Sequence, residues 1–166
     1  MHRLRNKYAG RMAAVLGGGP SLPDQIKEIP PGTILIGVNH HASKLVECDF
    51  IAFNDGITWD FVKDLPGRKI SRFGQDLKFS APKGQISGIA AVQAAFFMGC
   101  APVLLAGFDC YRSGGYFHDP EAAQRERSLP IKDHLDFWRK GFPTKKSRAD
   151  VIALGGPLTD IFNTAN

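Results

Sequence analysis

The stretch Met12–Leu22, which reads MAAVLGGGPSL, indicates the fold of this protein more clearly than any other part of its sequence. Its first part, Met12–Leu16, has the length and apolar composition of a buried strand. Three glycines follow directly, and glycine permits the sharp turn that joins a strand to a helix. The stretch therefore predicts the central strand of a parallel sheet, followed by the turn into the first helix.

Similar apolar runs recur along the chain, and segments of helical character separate them. Four runs have the length of buried strands: Thr33–Val38, Phe50–Phe53, Val103–Ala106 and Val151–Leu154. A weaker run, Arg68–Phe73, is predicted as an edge strand. The helical candidates are Asp60–Leu65, Ser87–Met98, Pro130–Lys140 and Pro157–Asn163. This alternation predicts an α/β protein: a single Rossmann-like domain over residues 1–166, with a mostly parallel sheet of five or six strands and helices on both faces.

The composition agrees with one globular domain whose partner is anionic. The chain has 166 residues, of which 43% are hydrophobic and 22% charged, so it is too short for two ordinary domains. The formal net charge is +5, and much of the excess lies in His2–Arg11 and Arg139–Arg148. Residues 1–11 are interpreted as a basic N-terminal arm. A solvated basic face would explain the same charge, and a phosphorylated small molecule is a better expected partner than nucleic acid.

Secretion and a membrane span are not expected from this sequence. The longest apolar stretch, Ile86–Leu105, is interrupted by serine, glycine, glutamine and proline. No secretory signal opens the chain, and Cys48, Cys100 and Cys110 form no CxxC pair. We therefore expect a soluble cytoplasmic protein with reduced thiols. The sequence leaves the oligomeric state open, and a homo-oligomer is compatible with it.

The glycine-rich turn is the strongest candidate for a binding site. Glycine lets an anion approach the backbone closely, and amides at the start of a helix bind phosphate. On this ground the turn is a candidate phosphate- or nucleotide-binding site, formed by its glycines together with Ser21, whose hydroxyl can cap the helix or donate to a phosphate oxygen. The turn lacks the third glycine of the dinucleotide fingerprint and the Gly-Lys-Ser/Thr of a P-loop. A tight strand-to-helix turn without a ligand remains the alternative.

Polar residues near two further strand and helix ends extend this candidate site. Asn39 follows the second strand, where its amide can read a base, a ribose or a phosphate, and an Asx turn is the alternative. Ser87 and Gly88 open the clearest helix, with Ser87 expected as its N-cap. Next to Asn39, His40 and His41 are adjacent in sequence. Adjacent residues face different ways on any regular element, so this pair is a weak metal site and we assign no metal ligand.

The region after the fourth buried strand contains the candidates for substrate contact and catalysis. Asp109 ends that strand, where an acid can bind a sugar hydroxyl or a metal, or serve as a cap or salt-bridge partner. The loop that follows contains three further candidates for substrate binding, Tyr111, Arg112 and Tyr116. His118 lies in the same loop and is the candidate general base or acid, because its pKa is normally near neutrality. A surface histidine without a role is the alternative.

The order of these motifs resembles a known group of enzymes. GGGPSL after the first strand, Val38-Asn39 after the second, Ser87-Gly88 at a helix start and Gly107–Tyr111 after a later strand occur in the same order in bacterial sialyltransferases of the Campylobacter type. The related MptE-like family, which includes 6-hydroxymethylpterin diphosphokinases and has small phage relatives, is also similar. The resemblance covers roughly Ala13 to Phe162. In those sialyltransferases the matching segments bind the cytidine monophosphate donor. The resemblance therefore implies nucleotide contacts at Gly18, Gly19, Pro20, Ser21, Asn39, Ser87 and Gly88, with Asn54 as a further contact.

Three functions follow from this resemblance. The first is a glycosyltransferase-like protein that binds a nucleotide or nucleotide-sugar donor. In that family a histidine base precedes the helix before the last strand, but residues 124–129 contain none, so His118 is the nearest candidate. The second is a pyrophosphokinase that requires magnesium, with Asp109 and Asp119 as candidate ligands. The third is a non-catalytic, phage-derived nucleotide-binding module, so the sequence leaves open whether the chain is an enzyme.

Overall fold

The computed structural model describes residues 2–74, 76–79, 86–110, 115–121 and 131–163. Seven strands form one sheet in which every pairing of neighbours is parallel. In chain order they are β1 (Ala13–Leu16), β2 (Ile34–Val38), β3 (Phe50–Phe53), β4 (Arg68–Ser71), β5 (Leu77–Lys78), β6 (Val103–Ala106) and β7 (Val151–Ala153). The predicted Rossmann-like α/β fold is thus confirmed. The sheet exceeds the predicted five or six strands because β5, a two-residue edge strand paired through Leu77 and Ile70, is too short to give an apolar pattern. For the same reason Arg68–Phe73, predicted as an edge strand, contains an interior strand, β4, which lies between β3 and β5.

The described helices connect and cover these strands. They are α1 (Leu22–Gln25), α2 (Trp59–Val62), α3 (Ser87–Phe97), α4 (Ile131–Gly141), α5 (Lys145–Arg148) and α6 (Thr159–Phe162). Short 3-10 helices occupy His2–Leu4, Ile26–Glu28, Ala42–Lys44, Gly56–Thr58 and Gly156–Leu158. No helix in the described part of the chain is both long enough and apolar enough to span a membrane.

The core lies on both faces of the sheet, since successive side chains of a strand point to opposite faces. In β1, Ala13 and Val15 belong to one buried cluster, which includes most of the apolar side chains of α3 together with Trp138 of α4. Ala14 and Leu16 belong to a second cluster, with Leu22 at the start of α1 and Val62 of α2. The strand is therefore buried on both sides. This explains why the sequence of β1 is continuously apolar rather than alternating.

Residues 2–11 pack against the body of the protein at several points. Leu4 is buried at 2% exposure, and the Tyr8 amide donates a hydrogen bond to the Met98 carbonyl oxygen at 2.9 Å. The Tyr8 ring also meets the ring of Phe50 edge-on, with 6.1 Å between centroids. The basic residues Lys7 and Arg11 lie beside that same tyrosine ring.

The order of the strands reverses next to β1. The sheet runs β5-β4-β3-β2-β1-β6-β7, so the chain proceeds from β1 in one direction and later returns to its other side through β6. In open α/β sheets, ligands bind at the carboxyl ends of the strands where the order reverses in this way. The glycine-rich turn after β1 and the Gly107–Asp109 segment after β6 meet at that position. The Gly19 amide donates to the Gly107 carbonyl oxygen at 2.8 Å.

The three thiols are free cysteines, with Cys48 and Cys100 buried and Cys110 partly buried. Burial raises the pKa of Cys48 and of Cys100 to about 11. Burial, with a smaller contribution from the neighbouring Asp109, raises the pKa of Cys110 to about 12. All three thiols are therefore protonated near neutral pH and poorly nucleophilic.

Candidate functional site

The glycine-rich turn is covered by protein side chains. A Cβ atom on Gly18 would lie 2.7 Å from the Cβ of His41 and 2.9 Å from a ring carbon of Tyr116. A Cβ atom on Gly19 would collide with the Asp109 carboxylate. Neither glycine can be replaced by a larger residue without movement of these neighbours. The glycines thus provide room for the segments that follow β2 and β6.

Ser21 and Asp109, two residues assigned to ligands from the sequence, bind each other. The backbone amide of Ser21 donates to Asp109 Oδ2 at 3.1 Å, and its hydroxyl donates to the same oxygen at 2.8 Å. The Asp109 carboxylate therefore takes the position at the start of α1 that an anion would otherwise occupy. Pro20, the residue between Gly19 and Ser21, is partly exposed. The hydrogen bonds between Ser21 and Asp109 join the segment after β6 to the turn after β1.

Asn39 has an unusual backbone and an unusual side chain. Its φ of +57° lies in the left-handed region, which asparagine tolerates better than most residues. Its backbone amide donates a hydrogen bond to the Ala52 carbonyl oxygen at 2.9 Å. Its Oδ1 atom is buried and accepts no hydrogen bond from any described residue. Buried polar atoms are normally hydrogen-bonded, and an exception requires a reason. A donor from a bound molecule would supply one.

Asn54, which directly follows β3, lies beside Ser87, the first residue of α3. The Asn54 amide donates to Ser87 Oγ at 3.2 Å. Ile86, rather than Ser87, occupies the cap position of α3, so the expectation that Ser87 is the N-cap is corrected by one residue. A Cβ atom on Gly88 would lie 2.8 Å from the Phe108 ring and 3.1 Å from the Trp138 ring. Gly88 therefore allows aromatic side chains to pack on the first turn of the helix.

His40, His41 and His118 meet above the turn. The ring centroids of His40 and His41 are 4.2 Å apart, and His41 Nδ1 and His118 Nε2 share a hydrogen bond of 3.0 Å. The sequence predicted that His40 and His41 face different ways. The structure differs because the two residues lie in the turn between β2 and a 3-10 helix, where the alternation of a regular element does not apply.

The same region holds Tyr116, whose ring stacks on that of His41 with 3.7 Å between centroids. His41 is buried, with 7% of its surface exposed. Burial lowers the pKa of His41 to about 3, and the neighbouring His40, His118 and Lys44 add to the effect by repulsion between positive charges. His41 is consequently neutral at physiological pH, and its ring can accept or donate one hydrogen bond at each nitrogen according to its tautomer.

The segment that carries His118 is fixed to the turn after β1. The Phe117 amide donates to the Gly18 carbonyl oxygen at 2.9 Å. Tyr116 and Asp119 exchange backbone hydrogen bonds of 3.1 Å in both directions, which closes residues 116–119 into a tight turn. Tyr111 and Arg112, both assigned to substrate from the sequence, lie outside the described residues. The contact between residues 116–118 and the turn has no signature in the sequence, because the two regions are about a hundred residues apart.

Gln25 is a structural residue of this site that the sequence analysis missed. Its Oε1 atom accepts a hydrogen bond from the buried Gly107 amide at 2.8 Å. A buried glutamine in the last turn of a short helix has no distinctive sequence pattern. It fixes α1 to the strand end that carries Asp109.

Three solved structures share this fold over most of the chain. The sialyltransferase CST-II in complex with a trisaccharide acceptor and CMP matches with a TM-score of 0.59 and 15% identity, over 94% of this chain and 86% of that one. CstII from Campylobacter jejuni with cytidine-5′-monophosphate has a TM-score of 0.60 and 15% identity, over 92% and 84% of the two chains. CstII with CMP-3FNeuAc has a TM-score of 0.56 and 14% identity, over 89% and 84%.

These similarities define a sialyltransferase-like fold for the chain. At 14–15% identity they concern the fold alone. No protein-family model matches the sequence, and a search among curated proteins finds no match.

Proposed function

We propose that this protein binds a cytidine nucleotide, or a sugar activated by one, and acts as a glycosyltransferase-like protein. The observation that carries the proposal is the buried Oδ1 atom of Asn39, which accepts no hydrogen bond from the described residues. It lies after β2, where the motif order resembles that of sialyltransferases. The solved structures with this fold are sialyltransferases in complex with CMP or a CMP derivative.

The nucleotide would lie over the carboxyl ends of β1, β2 and β3. Asn39 Oδ1 would accept a hydrogen bond from a base amine or a ribose hydroxyl. The phosphate would lie toward Ser87 and Gly88, because the first amides of a helix bind anions and the Asp109 carboxylate repels them at the turn after β1. Asn54 then lies beside the nucleotide. The wall on the side of β1 consists of Gly18, Gly19, Pro20 and Ser21.

An exposed aromatic side chain beside this region supports a flat ligand such as a base or a sugar ring. Phe61 is 58% exposed, and its ring stacks on that of His40 with 5.0 Å between centroids. Aromatic rings stack on bases and present an apolar face to sugars. Tyr116, together with Tyr111 and Arg112, remains proposed for substrate contact.

The proposed transfer needs a base for the acceptor hydroxyl. The acceptor oxygen would attack the anomeric carbon, the bond from that carbon to the phosphate oxygen would break, and CMP would leave with the bonding electrons. His118 would take the proton of the acceptor. This role requires the neutral form of the imidazole, because a protonated ring has no lone pair to accept the proton. Magnesium chemistry through Asp109 and Asp119 is not favoured by the comparisons.

Binding is tested by titration of CMP into the full chain and into the Asn39→Gly variant. Glycine keeps the left-handed backbone without strain, so only the side-chain amide is lost. We expect affinity for CMP to fall at least about tenfold, which corresponds to about 1.4 kcal/mol. Asn6, with a φ of +53°, offers a matched control in Asn6→Gly, which should bind CMP like the parent. An unchanged dissociation constant in Asn39→Gly would contradict the proposal.

Turnover is tested by the release of CMP from a CMP-linked sialic acid. For His118→Ala we expect a rate lower by on the order of a hundredfold, with CMP affinity retained, because a general base acts on the chemical step. Wild-type protein that binds CMP without releasing it from the sugar would identify a non-catalytic nucleotide-binding module instead. A rate unchanged in His118→Ala would remove this histidine from the reaction.

A further inference from the structure

Three histidines from two distant parts of the chain converge at the carboxyl edge of the sheet. His40 and His41 follow β2, whereas His118 belongs to residues 115–121, after β6. The candidate ligand atoms of the three side chains all lie within 4.8 Å of one another. Within the described ranges, no other group of three His, Cys, Asp or Glu side chains converges in this way.

The distances fit a metal ion after a small movement. Zinc–imidazole bonds of about 2.0–2.1 Å place two nitrogen ligands of a tetrahedral site about 3.3 Å apart. His41 Nδ1 and His118 Nε2 are 3.0 Å apart. The other separations are at most 4.8 Å, so the His40 ring needs to close by no more than about 1.5 Å. His40 is partly exposed, which leaves it room to do so.

The rings are held in place by their neighbours. Tyr116 stacks on His41 with an interplanar angle of 21°, and Phe61 stacks on His40 with an angle of 24°. Gly18 leaves the space that the His41 side chain fills, since a Cβ atom there would contact it. Residues that orient metal ligands in advance reduce the cost of assembling a site.

We propose that His40, His41 and His118 form a zinc-binding site. Imidazole nitrogen suits zinc and the late first-row divalent metals, whereas magnesium prefers carboxylate, carbonyl and water oxygen. A site with three histidine ligands leaves the fourth position of a tetrahedral zinc ion for water or a substrate oxygen. The proposal does not rest on nucleotide binding, because the three ligands come from the protein itself.

This site bears on the role of His118. A neutral histidine that ligates zinc through one nitrogen has no lone pair left for a proton, so the zinc-bound state excludes the action of His118 as a general base. If His118 is that base, added zinc lowers the release of CMP. Metal binding itself is measured separately from any turnover.

The test is calorimetric titration of zinc chloride into the full chain after treatment with a chelator and dialysis. We expect one zinc ion per chain and no binding of magnesium. His40→Ala and His118→Ala should each weaken zinc binding by on the order of a hundredfold, since loss of even an outer partner of a ligand costs up to that much. Both residues are partly exposed, so their variants are expected to fold, which circular dichroism checks.

The matched control is His134→Asn, which removes a histidine of α4 outside the group. It should bind zinc like the parent. Equal zinc affinity in the parent, His40→Ala and His118→Ala would overturn the proposal. An equal loss of affinity in His134→Asn, or far less than one zinc ion per parent chain, would overturn it as well. If His118→Ala does not fold, His40→Ala and the control decide the outcome.

Discussion

The roles of single residues around the turn after β1 depend on the side chains that pack against that turn. Gly18 and Gly19 are glycine because a Cβ atom would clash with His41 and Tyr116 at the first position and with Asp109 at the second. Asn39 combines a left-handed backbone with a buried oxygen that accepts no hydrogen bond from the described residues. The two glycines therefore allow neighbouring side chains to pack against the turn. The Asn39 side chain is the one whose buried oxygen lacks a hydrogen-bond donor among the described residues, and a ligand could supply one.

Gln25 offers a prediction at the same scale. In Gln25→Leu the buried Gly107 amide loses its acceptor, so we expect the free energy of unfolding to fall by about 1–3 kcal/mol in a urea titration. The same substitution at Gln93, which is partly exposed on α3, is the control and should change stability by no more than about 0.5 kcal/mol. Equal losses in the two variants would show that the Gln25 hydrogen bond contributes nothing specific.

At the scale of elements, the strands differ in their burial and in the number of strands that they pair with. β1 and β6 are buried along their whole length and paired on both sides, whereas β5 has two residues and a single neighbour at the edge. Residues 115–121 form no regular element, yet hydrogen bonds to Gly18 and between Tyr116 and Asp119 fix them over β1. A tight turn thus carries His118, rather than a strand or a helix.

Hydrogen exchange measured by mass spectrometry should reproduce this order. Amides of Ala13–Leu16 and Val103–Ala106 are expected to exchange slowest, because their hydrogen bonds open only on global unfolding. Amides of Leu77–Lys78 should exchange faster, through local opening of the edge. Peptides that cover β5 and exchange as slowly as those of β1 would contradict the described sheet order.

At the scale of the whole molecule, the reversal of strand order between β1 and β6 decides which strand ends meet at the candidate site. It brings together the ends of β1, β2 and β6, and with them Ser21, Asp109 and the three histidines. The shared fold with CMP-bound sialyltransferases concerns this same architecture. The CMP and zinc titrations therefore probe neighbouring parts of one edge of the sheet.

The sequence by itself determined the α/β class, six of the strands and the main helices, because apolar runs and helical periodicity are local properties of the chain. It wrongly placed Arg68–Phe73 at the edge of the sheet, where β5 lies instead. It also directed attention to Asn39, Asp109 and His118, whose types and positions after strands are visible without coordinates. Only the tertiary structure decided which of these side chains meet. The pairing of Ser21 with Asp109, of Gln25 with Gly107 and of His41 with His118 joins residues 77 to 88 positions apart. Such contacts depend on how β6 returns to the side of β1, which no local pattern encodes.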